Sequence, residues 1–355
     1  RMKTLSVAEM QMVEIAKALS NRSEVIIMDE PTSALSDRET AMLFDMIRDL
    51  KRQGMAVIYI SHKMDEILRI ADTISVMRDG KYIATHPAGT ISNEKLISLI
   101  VGRELNTIFE KRNVIPGPVA LSVKGLTGAK FKDIDLSVRS GEILGMAGLM
   151  GAGRTEIVNA IFGLEKIYRG TVTVKGKPVT IRSPKDAIQH GIGLITEDRK
   201  GTGLVLSGTV KHNITLAALK NCCRGPFIEM QKERIVAEQQ IQRFAIKTPS
   251  ANQVVNFLSG GNQQKIVLAK VLLNDPDIII LDEPTRGIDI GAKAEIYRLM
   301  NELAAKGKAI IMISSELPEI LGMSDRILVV HDGSIKAELA GAEATQEKIM
   351  QYAMM

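Results

Sequence analysis

The sequence predicts an α/β fold built from two related units, the first of them incomplete. The tetrapeptide Asp-Glu-Pro-Thr occurs twice, beginning at Asp29 and at Asp282, and each copy follows an apolar run typical of a buried parallel strand. After each copy, apolar residues recur at helical spacing before a second strand-like run begins. Strands that alternate with helices in this way indicate a parallel sheet flanked by helices.

The composition indicates a globular protein of about two domains. Of the 355 residues, 45% are hydrophobic and 25% are charged, which excludes a disordered chain. The net charge of +5 suits phosphate-bearing ligands or an anionic membrane surface, and equally an ordinary solvated surface. No apolar stretch reaches the ~18 residues of a membrane span, and no signal peptide is evident. Cys222 and Cys223 are adjacent, which favours a reducing compartment and argues against a zinc site.

An internal repeat divides the chain, with an offset of 253 residues between Asp29 and Asp282. The same offset carries further residues of the first copy onto the second, among them Leu5, Ser6, Pro31, Thr32, Ser61 and Asp72. We therefore predict that residues 1–90 are the C-terminal part of the first unit, that 91–118 form a linker and that 119–355 form a second, more complete unit. The sequence begins without a strand or cap, so we expect an N-terminal portion of the first unit to be missing.

Apolar runs predict the strands of both units. In the second unit they span residues 142–148, 278–281 and 309–313, and in the first unit 25–28 and 56–60. We expect all of these strands to lie in a core. Helices are predicted at residues 154–162 and 90–103, and a small antiparallel hairpin near 172–176.

The segment "GLMGAGRTE", residues 148–156, has the form of a phosphate-binding loop, except that Arg154 takes the place of lysine. Its glycines let backbone N–H groups surround phosphate oxygens, and the following helix N-terminus adds partial positive charge. Thr155 is placed to bind Mg²⁺. An ordinary tight turn shares this local pattern, but the later Asp282-Glu283 pair favours a nucleotide site of the P-loop NTPase fold. Because arginine is a planar fork rather than a point charge, we expect its catalytic geometry to be poor.

A second motif, "LSGGNQQKIVLAKVLL", places Ser259, Gly260 and Gly261 just before a predicted helix. A lone turn of this kind would be unremarkable. Followed by "DPDIIILDEPTRGID", it resembles the signature motif, Walker B strand and D-loop of ATP-binding-cassette ATPases, and the resemblance covers the whole chain. It implies tandem cassette domains of the P-loop NTPase fold, in which each ATP lies between the phosphate-binding loop of one cassette and the signature of the other.

In the second unit, the resemblance implies roles residue by residue. The nucleotide-binding loop consists of Gly148, Gly151, Gly153, Arg154 and Thr155. Asp282 supports Mg²⁺, as Thr155 does, and Glu283 polarises the attacking water. Glu197 stands where the family has a glutamine that contacts the nucleotide site, and Ser315 stands where it has a histidine that contacts the γ-phosphate.

In the first unit, the resemblance assigns Asp29 to Mg²⁺, Glu30 to catalysis and His62 to γ-phosphate contact. Ser6 begins a signature in which Val7 and Ala8 replace the two glycines, and the first Walker A and Q-loop are absent. Two unequal sites follow. The site with Arg154 and the altered signature is expected to bind nucleotide but to hydrolyse it poorly. The site with Glu30, His62 and the intact signature is expected to be hydrolytic, but its phosphate-binding loop is missing.

Finer features resemble bacterial simple-sugar importers, notably "EDRKGTGL" and "DEPTRGIDIGAKAEIY". The first signature, "TLSVAEMQMVEIAKAL", is most similar to that of galactose/methyl-galactoside importers, and ribose or another monosaccharide is the alternative. The resemblance implies an ATP-hydrolysing translocase subunit, peripheral on the cytoplasmic face of the cell membrane. It also implies that residues 203–257 form a helical subdomain and that membrane permease subunits dock there, near Glu197. A periplasmic or lipid-anchored sugar-binding protein would be an indirect partner.

Two other functions remain open. Soluble fused cassettes that act on ribosomes carry a long charged linker, whereas Pro116, Gly117 and Pro118 occur in this one, and no nucleic-acid partner is expected. An inactive fragment is the other alternative, because the first phosphate-binding loop is missing.

Overall fold

The computed structural model describes residues 7–19, 23–32, 35–61, 63–78, 80–101, 109 and 114–355. The chain forms two compact units, Arg1–Thr107 and Ile108–Met355. Ser6 and His62, which the sequence nominates for the signature and the γ-phosphate contact, lie outside the described residues. Within the described part of the chain, no helix combines the length and apolarity that a membrane crossing needs.

The first unit alternates helices and strands. In chain order its elements are α1 (Val7–Leu19), β1 (Val25–Asp29), α2 (Asp37–Arg52), β2 (Ala56–Ile60), α3 (Met64–Ile70), β3 (Thr73–Arg78), β4 (Lys81–Pro87) and α4 (Asn93–Val101). Strands β1 and β2 are parallel, with Val25 opposite Ala56, and β3 and β4 are antiparallel. Helix α2 begins at a capping box, in which Ser36 and Glu39 satisfy each other's backbone N–H groups.

The β1–β2 pair is buried on one face only, so the expectation that these strands lie wholly in a core is wrong. Successive strand residues point to opposite faces. On one face Ile26 and Met28 pack with Leu43 and other apolar residues of helices α1 and α2. On the other face the exposed fractions are 51% for Val25, 66% for Ile27, 51% for Ile58 and 46% for Ile60. Among the described residues of this unit, nothing covers that second face.

The second unit begins with six strands and two helices. Its first elements are β5 (Val119–Thr127), β6 (Ile134–Arg139), β7 (Ile143–Ala147), α5 (Arg154–Ile161), β8 (Arg169–Val174), β9 (Lys177–Val179), α6 (Pro184–Gln189) and β10 (Ile192–Ile195). The helix predicted at residues 154–162 and the hairpin near 172–176, formed by β8 and β9, are confirmed.

The middle of the second unit is mainly helical, as predicted for residues 203–257. It contains α7 (Val210–Thr215), a 3₁₀ segment (Leu216–Cys222), the short strands β11 (Cys223–Arg224) and β12 (Phe227–Ile228), and α8 (Met230–Arg243). A buried ion pair joins α7 to α8, with Lys211 Nζ 3.2 Å from a carboxylate oxygen of Glu233. The β11–β12 hairpin and a π-helical turn at Arg199–Gly203 have no counterpart in the sequence predictions.

The rest of the second unit completes the main sheet. Its elements are α9 (Gly260–Leu272), β13 (Ile278–Asp282), α10 (Ile290–Ala305), β14 (Ala309–Ile313), α11 (Leu317–Met323), β15 (Arg326–His331), β16 (Ser334–Ala340) and α12 (Gln346–Ala353). The main sheet has the order β10-β13-β14-β7-β15-β16, parallel except for β16, and a second, antiparallel sheet has the order β6-β5-β8-β9. Strands β7, β13 and β14 are buried at every position, as their sequences predict. Their carboxyl ends therefore meet at one edge, where open α/β sheets bind ligands.

Candidate nucleotide site

The loop from β7 to α5 is shaped by its glycines. Gly151 and Gly153 have φ of 80° and 98°, a region that side chains rarely adopt. A Cβ added to Gly148 would lie 2.4 Å from the carbonyl oxygen of Val330, so only glycine fits there. The loop ends at Gly153, which is the N-cap of α5, and Arg154 and Thr155 begin the helix. The unsatisfied N–H groups of the helix start therefore lie beside a tight turn, an arrangement that suits a phosphate.

A cavity of about 330 Å³ opens at this loop. Its lining brings together most of the residues that the sequence nominates for the second unit: Gly148, Gly151, Gly153, Arg154, Thr155, Glu197, Glu283 and Ser315. Helix α12 also lines the cavity through Ile349, Met350 and Ala353, which sequence reasoning missed. These residues lie almost 200 positions after the loop (353 against 154), and no local pattern distinguishes them from ordinary core residues.

Asp282 ends strand β13 beneath the loop, and its carboxylate accepts a hydrogen bond from the Thr155 hydroxyl. The side chain is almost fully buried, and this burial raises the pKa of Asp282 to about 6. Its Oδ1 atom is buried and has no hydrogen-bond partner among the residues that the structure describes. Mg²⁺ prefers oxygen ligands and is often held by one or two protein groups together with substrate phosphates. The free carboxylate oxygen and the adjacent hydroxyl fit such an ion.

Glu283, the next residue, is held in a strained backbone conformation, with φ of 50°. Its N–H donates to the Ile313 carbonyl at 3.0 Å, and its carboxylate accepts a 3.1 Å hydrogen bond from the Ser315 hydroxyl. Burial raises the pKa of Glu283, while Ser315 and the Arg154 guanidinium act against that increase. The three residues thus form one contact set at the end of the sheet.

Arg154 approaches Glu283 from the helix side. Its Nη1 donates to the Ser314 carbonyl at 2.9 Å, and its Nη2 lies 4.0 Å from Glu283 Oε1. Burial lowers the pKa of Arg154, and the nearby carboxylates of Glu283 and Asp282 oppose this effect. The cation at the start of α5 therefore faces two carboxylates and a carbonyl.

Glu197 lies at the mouth of the cavity and pairs with Arg286, three residues after Glu283. The side chains are 40% and 58% exposed, so water weakens this ion pair. Sequence reasoning placed Glu197 near the nucleotide but did not identify Arg286. The motif that contains Arg286, "DEPTRGID", was the available signal.

The intact signature occupies a different place in the second unit. Ser259 is the N-cap of α9, and Gly260 and Gly261 form its first turn. The Ser259 hydroxyl accepts a 2.9 Å hydrogen bond from Asn262 instead of capping the helix, which leaves the first N–H groups available to an anion. These three signature residues are not part of the lining of the cavity at Arg154.

In the first unit, Asp29 ends β1 and Glu30 follows it with φ of 48°. The Glu30 N–H donates to the Ile60 carbonyl at 2.9 Å, which is the counterpart of the bond from Glu283 to Ile313. Both units therefore present a carboxylate in the same turn after a strand. No group of three or more His, Cys, Asp or Glu side chains suited to a metal ion occurs in the described ranges.

Comparison with known proteins identifies a family whose sequences this chain matches. The sequence matches the family of ABC transporters over residues 1–33 and 131–286. It is 54% identical over 354 residues to a putative ribose/galactose/methyl galactoside import ATP-binding protein of Geobacillus kaustophilus, covering 99% of this chain and 70% of that protein. It is 55% identical to a protein of the same description, numbered 1, from Rhizobium etli, covering 99% and 68%.

Among solved structures, the fold resembles a nucleotide-free ATP-binding cassette from an ABC transporter, with a TM-score of 0.55 and 23% identity over 67% of this chain and 96% of that one. It also resembles a dimeric cassette in a post-hydrolysis state, bound to ADP and Pi, with a TM-score of 0.54 and 23% identity over 62% and 98%. At such identities the likeness concerns the fold alone.

Proposed function

The chain belongs to the ABC transporter family, and on that premise we propose that it is the ATP-hydrolysing subunit that energises a monosaccharide importer. The relatives are named for ribose, galactose and methyl galactoside. The first signature, "TLSVAEMQMVEIAKAL", favours galactose or methyl galactoside over ribose. The chain spans about 70% of the length of the first of these relatives.

One observation carries the proposal: the Thr155 hydroxyl bonds to Asp282 at the point where the glycine loop meets the end of the parallel sheet. This contact holds Asp282 against the phosphate-binding turn and the helix N-terminus, which line one cavity together with Glu283. Phosphoryl transfer needs little covalent chemistry from a protein, and it depends on positioning and charge stabilisation.

The residues of the cavity divide this work. The N–H groups of the loop bind and orient the phosphates, and Thr155 with Asp282 would hold Mg²⁺. The ion, when bound, neutralises negative charge on the phosphate oxygens. Glu283 lies where it can orient a water molecule, and the burial of the site strengthens each of these electrostatic contacts.

We propose tandem cassettes, with residues 1–90 from the first, 91–118 as a linker and 119–355 as the second. The second-unit site departs from the family pattern at Arg154, Glu197 and Ser315, and its expected partner signature carries Val7 and Ala8. We therefore expect nucleotide binding with slow hydrolysis there. The predicted hydrolytic site comprises Asp29, Glu30 and His62, together with the signature at Ser259, Gly260 and Gly261.

The proposed partners are the permease subunits of the importer, which place the chain at the cytoplasmic face of the membrane as a peripheral subunit. The helical region α7–α8, which follows Glu197 in the chain, is the proposed docking surface. Apolar side chains exposed there include Leu216, Phe227 and Met230. A periplasmic or lipid-anchored sugar-binding protein would act through the permease, and no nucleic-acid partner is proposed.

Reconstitution tests this function. The chain would be combined in proteoliposomes with the permease subunits of a ribose or methyl galactoside importer, and ATP-dependent uptake of labelled methyl galactoside and ribose would be measured. The proposal predicts association with the permease. ATP-dependent uptake that Glu30→Gln abolishes is expected only when the first phosphate-binding loop is also supplied, and not at a transporter-like rate from this chain without it. Association with ribosomes and none with the permease would contradict it.

A further inference from the structure

The arginine in the phosphate-binding loop is anchored inside the protein. Arg154 is 9% exposed, and its Nη1 donates to the Ser314 carbonyl at 2.9 Å. Ser314 follows β14 and directly precedes Ser315. The side chain therefore joins the start of α5 to the segment that carries the residue in the place of the family's γ-phosphate histidine.

The same guanidinium faces the catalytic carboxylate. Nη2 lies 4.0 Å from Glu283 Oε1, and the two side chains are only 10% and 9% exposed. Water therefore screens this pair far less than a surface pair. Ser315 also donates to Glu283, through its hydroxyl at 3.1 Å and through its backbone N–H, and Arg154 is the cation that faces the Glu283 charge among the described residues.

A terminal phosphate would compete for this cation. Guanidinium groups bind carboxylates and phosphates with the same fork of N–H donors, so Arg154 can serve Glu283 or a phosphate oxygen. Glu283 and the glycine loop line the same cavity. A third phosphate that extended from the loop toward Glu283 would bring new negative charge to that carboxylate, whereas a diphosphate held by the loop alone would not.

We propose that the Arg154–Glu283 pair, here named the inner pair, makes the second-unit site select nucleoside diphosphates over triphosphates. The proposal rests on the proposed function, because it assumes that this cavity binds a nucleotide. A ligand shifts the equilibrium between two states of a protein only if its affinity for the two states differs. Here the two states are Arg154 paired with Glu283 and Arg154 bound to a phosphate oxygen, and the γ-phosphate is the group that distinguishes them. The site would then hold ADP for structural support, while the chemistry takes place elsewhere.

Equilibrium titration tests the inner pair. Mg-ADP and Mg-ATP are titrated separately into the purified chain and into Glu283→Gln, Glu283→Asp and Arg154→Lys. The wild-type chain is expected to bind ADP at least about fivefold more tightly than ATP. Glu283→Gln removes the charge, and Glu283→Asp keeps the charge but withdraws it from Arg154. Both variants should bind Mg-ATP more tightly than the wild-type chain does and Mg-ADP equally well, so that the difference between the two affinities becomes smaller.

Controls separate the inner pair from other effects. Glu165→Gln changes an exposed carboxylate of the same unit and should leave both affinities unchanged. Arg154→Lys supplies a compact ammonium and should favour ATP, and its thermal midpoint shows whether the unit remains folded. A shift with Glu283→Gln and none with Glu283→Asp would mean simple repulsion of the γ-phosphate and would overturn the proposal. ATP preference in the wild-type chain overturns it while the proposed function stands, whereas binding of neither nucleotide overturns both.

Discussion

The two units contain the same β-α-β segment in different surroundings. Strands β1 and β2 and strands β13 and β14 are offset by 253 residues, and their registers agree, with Val25 opposite Ala56 and Ile278 opposite Ala309. Yet Ile27 is 66% exposed, whereas its counterpart Ile280 is fully buried. In the second unit, Ile280 packs in a core that includes residues of the antiparallel sheet and of α5. Local sequence thus specifies the element, and the neighbouring layers determine its burial.

The two units also differ in the contacts of one glutamate, which is Glu66 in the first unit and Glu319 in the second. Thr32 donates to Glu66 at 2.7 Å in the first unit, and Thr285 donates to Glu319 at 2.7 Å in the second. Each bond ties the loop after the Asp-Glu pair to the helix that follows the next strand, which is α3 in the first unit and α11 in the second. The remaining donors differ in origin. In the first unit the glutamate is also contacted by Tyr59 from β2 and by Lys63, the N-cap of α3. In the second unit a tyrosine and a lysine again contact it, but both come from α10, as Tyr297 and Lys293.

The largest expected effect concerns this glutamate. Glu319→Ala should destabilise the second unit by about 3–5 kcal/mol, because three buried hydroxyl donors would lose their acceptor and Lys293 would keep only Glu316 as a partner. Glu66→Ala should cost the first unit about 1–3 kcal/mol, because Lys63 can turn to water. Hydrogen exchange of the β13 and β1 amides measures each unit, and Glu343→Ala is the exposed control. Equal losses would contradict the difference in surroundings.

The exposed face gives the next contrast. Ile280→Ala should cost about 2–5 kcal/mol, because it leaves a cavity in a closed core. Ile27→Ala should change stability by less than about 1 kcal/mol, because the side chain is mostly in water. Chemical denaturation followed by unit-specific exchange compares the two variants. A large loss with Ile27→Ala would show that another surface covers this face in solution.

The stability of the second unit should depend on pH through Asp282. Burial raises the pKa of Asp282 to about 6, so ionisation of this group opposes folding of the metal-free chain. Below the pKa of Asp282 in the unfolded chain, the carboxylate is neutral in both the folded and the unfolded chain. As pH rises from about 4 to 6, ionisation lowers the free energy of unfolding, and the full loss persists at neutral pH.

Asp282→Asn should therefore stabilise the metal-free chain at pH 7 by about 1–3 kcal/mol, with the gain vanishing toward pH 4. Asp29→Asn should have little effect, because Asp29 is exposed. Thermal unfolding in a chelator across this pH range measures both. A loss of stability with Asp282→Asn at pH 7 would show that Asp282 has stabilising contacts when ionised.

The smallest contrast concerns helix caps. Ser36 caps α2 and Asp289 caps α10, each accepting a backbone N–H of the first turn. Ser36→Ala should cost about 1 kcal/mol, and Asp289→Ala somewhat more, up to about 2 kcal/mol, because a carboxylate also interacts with the helix dipole. Salt titration separates the two effects, since only the Asp289 contribution should weaken as salt is added.

Local pattern accounts for much of what the sequence predicted. The glycine loop, the α5 helix and the buried strands β13 and β14 follow from signals within a few residues. The bare face of β1 and β2 could not be predicted, because alternation shows only that a strand has two faces. Arg286 beside Glu197, and Met350 in the cavity lining, depend on how distant elements pack. The partners of Arg154 likewise became evident only when the loop and β14 met.

The central claim is that the second unit carries a working nucleotide site despite Arg154. Equilibrium binding of Mg-ATP to the purified chain tests it most directly, with Thr155→Ala and Arg154→Ala as loss variants and the exposed Thr180→Ala as a matched control. The account predicts saturable binding to the wild type and Thr180→Ala that both loss variants abolish or greatly weaken. A folded wild-type chain that binds no nucleotide, or binding that Thr155→Ala leaves unchanged, would contradict it.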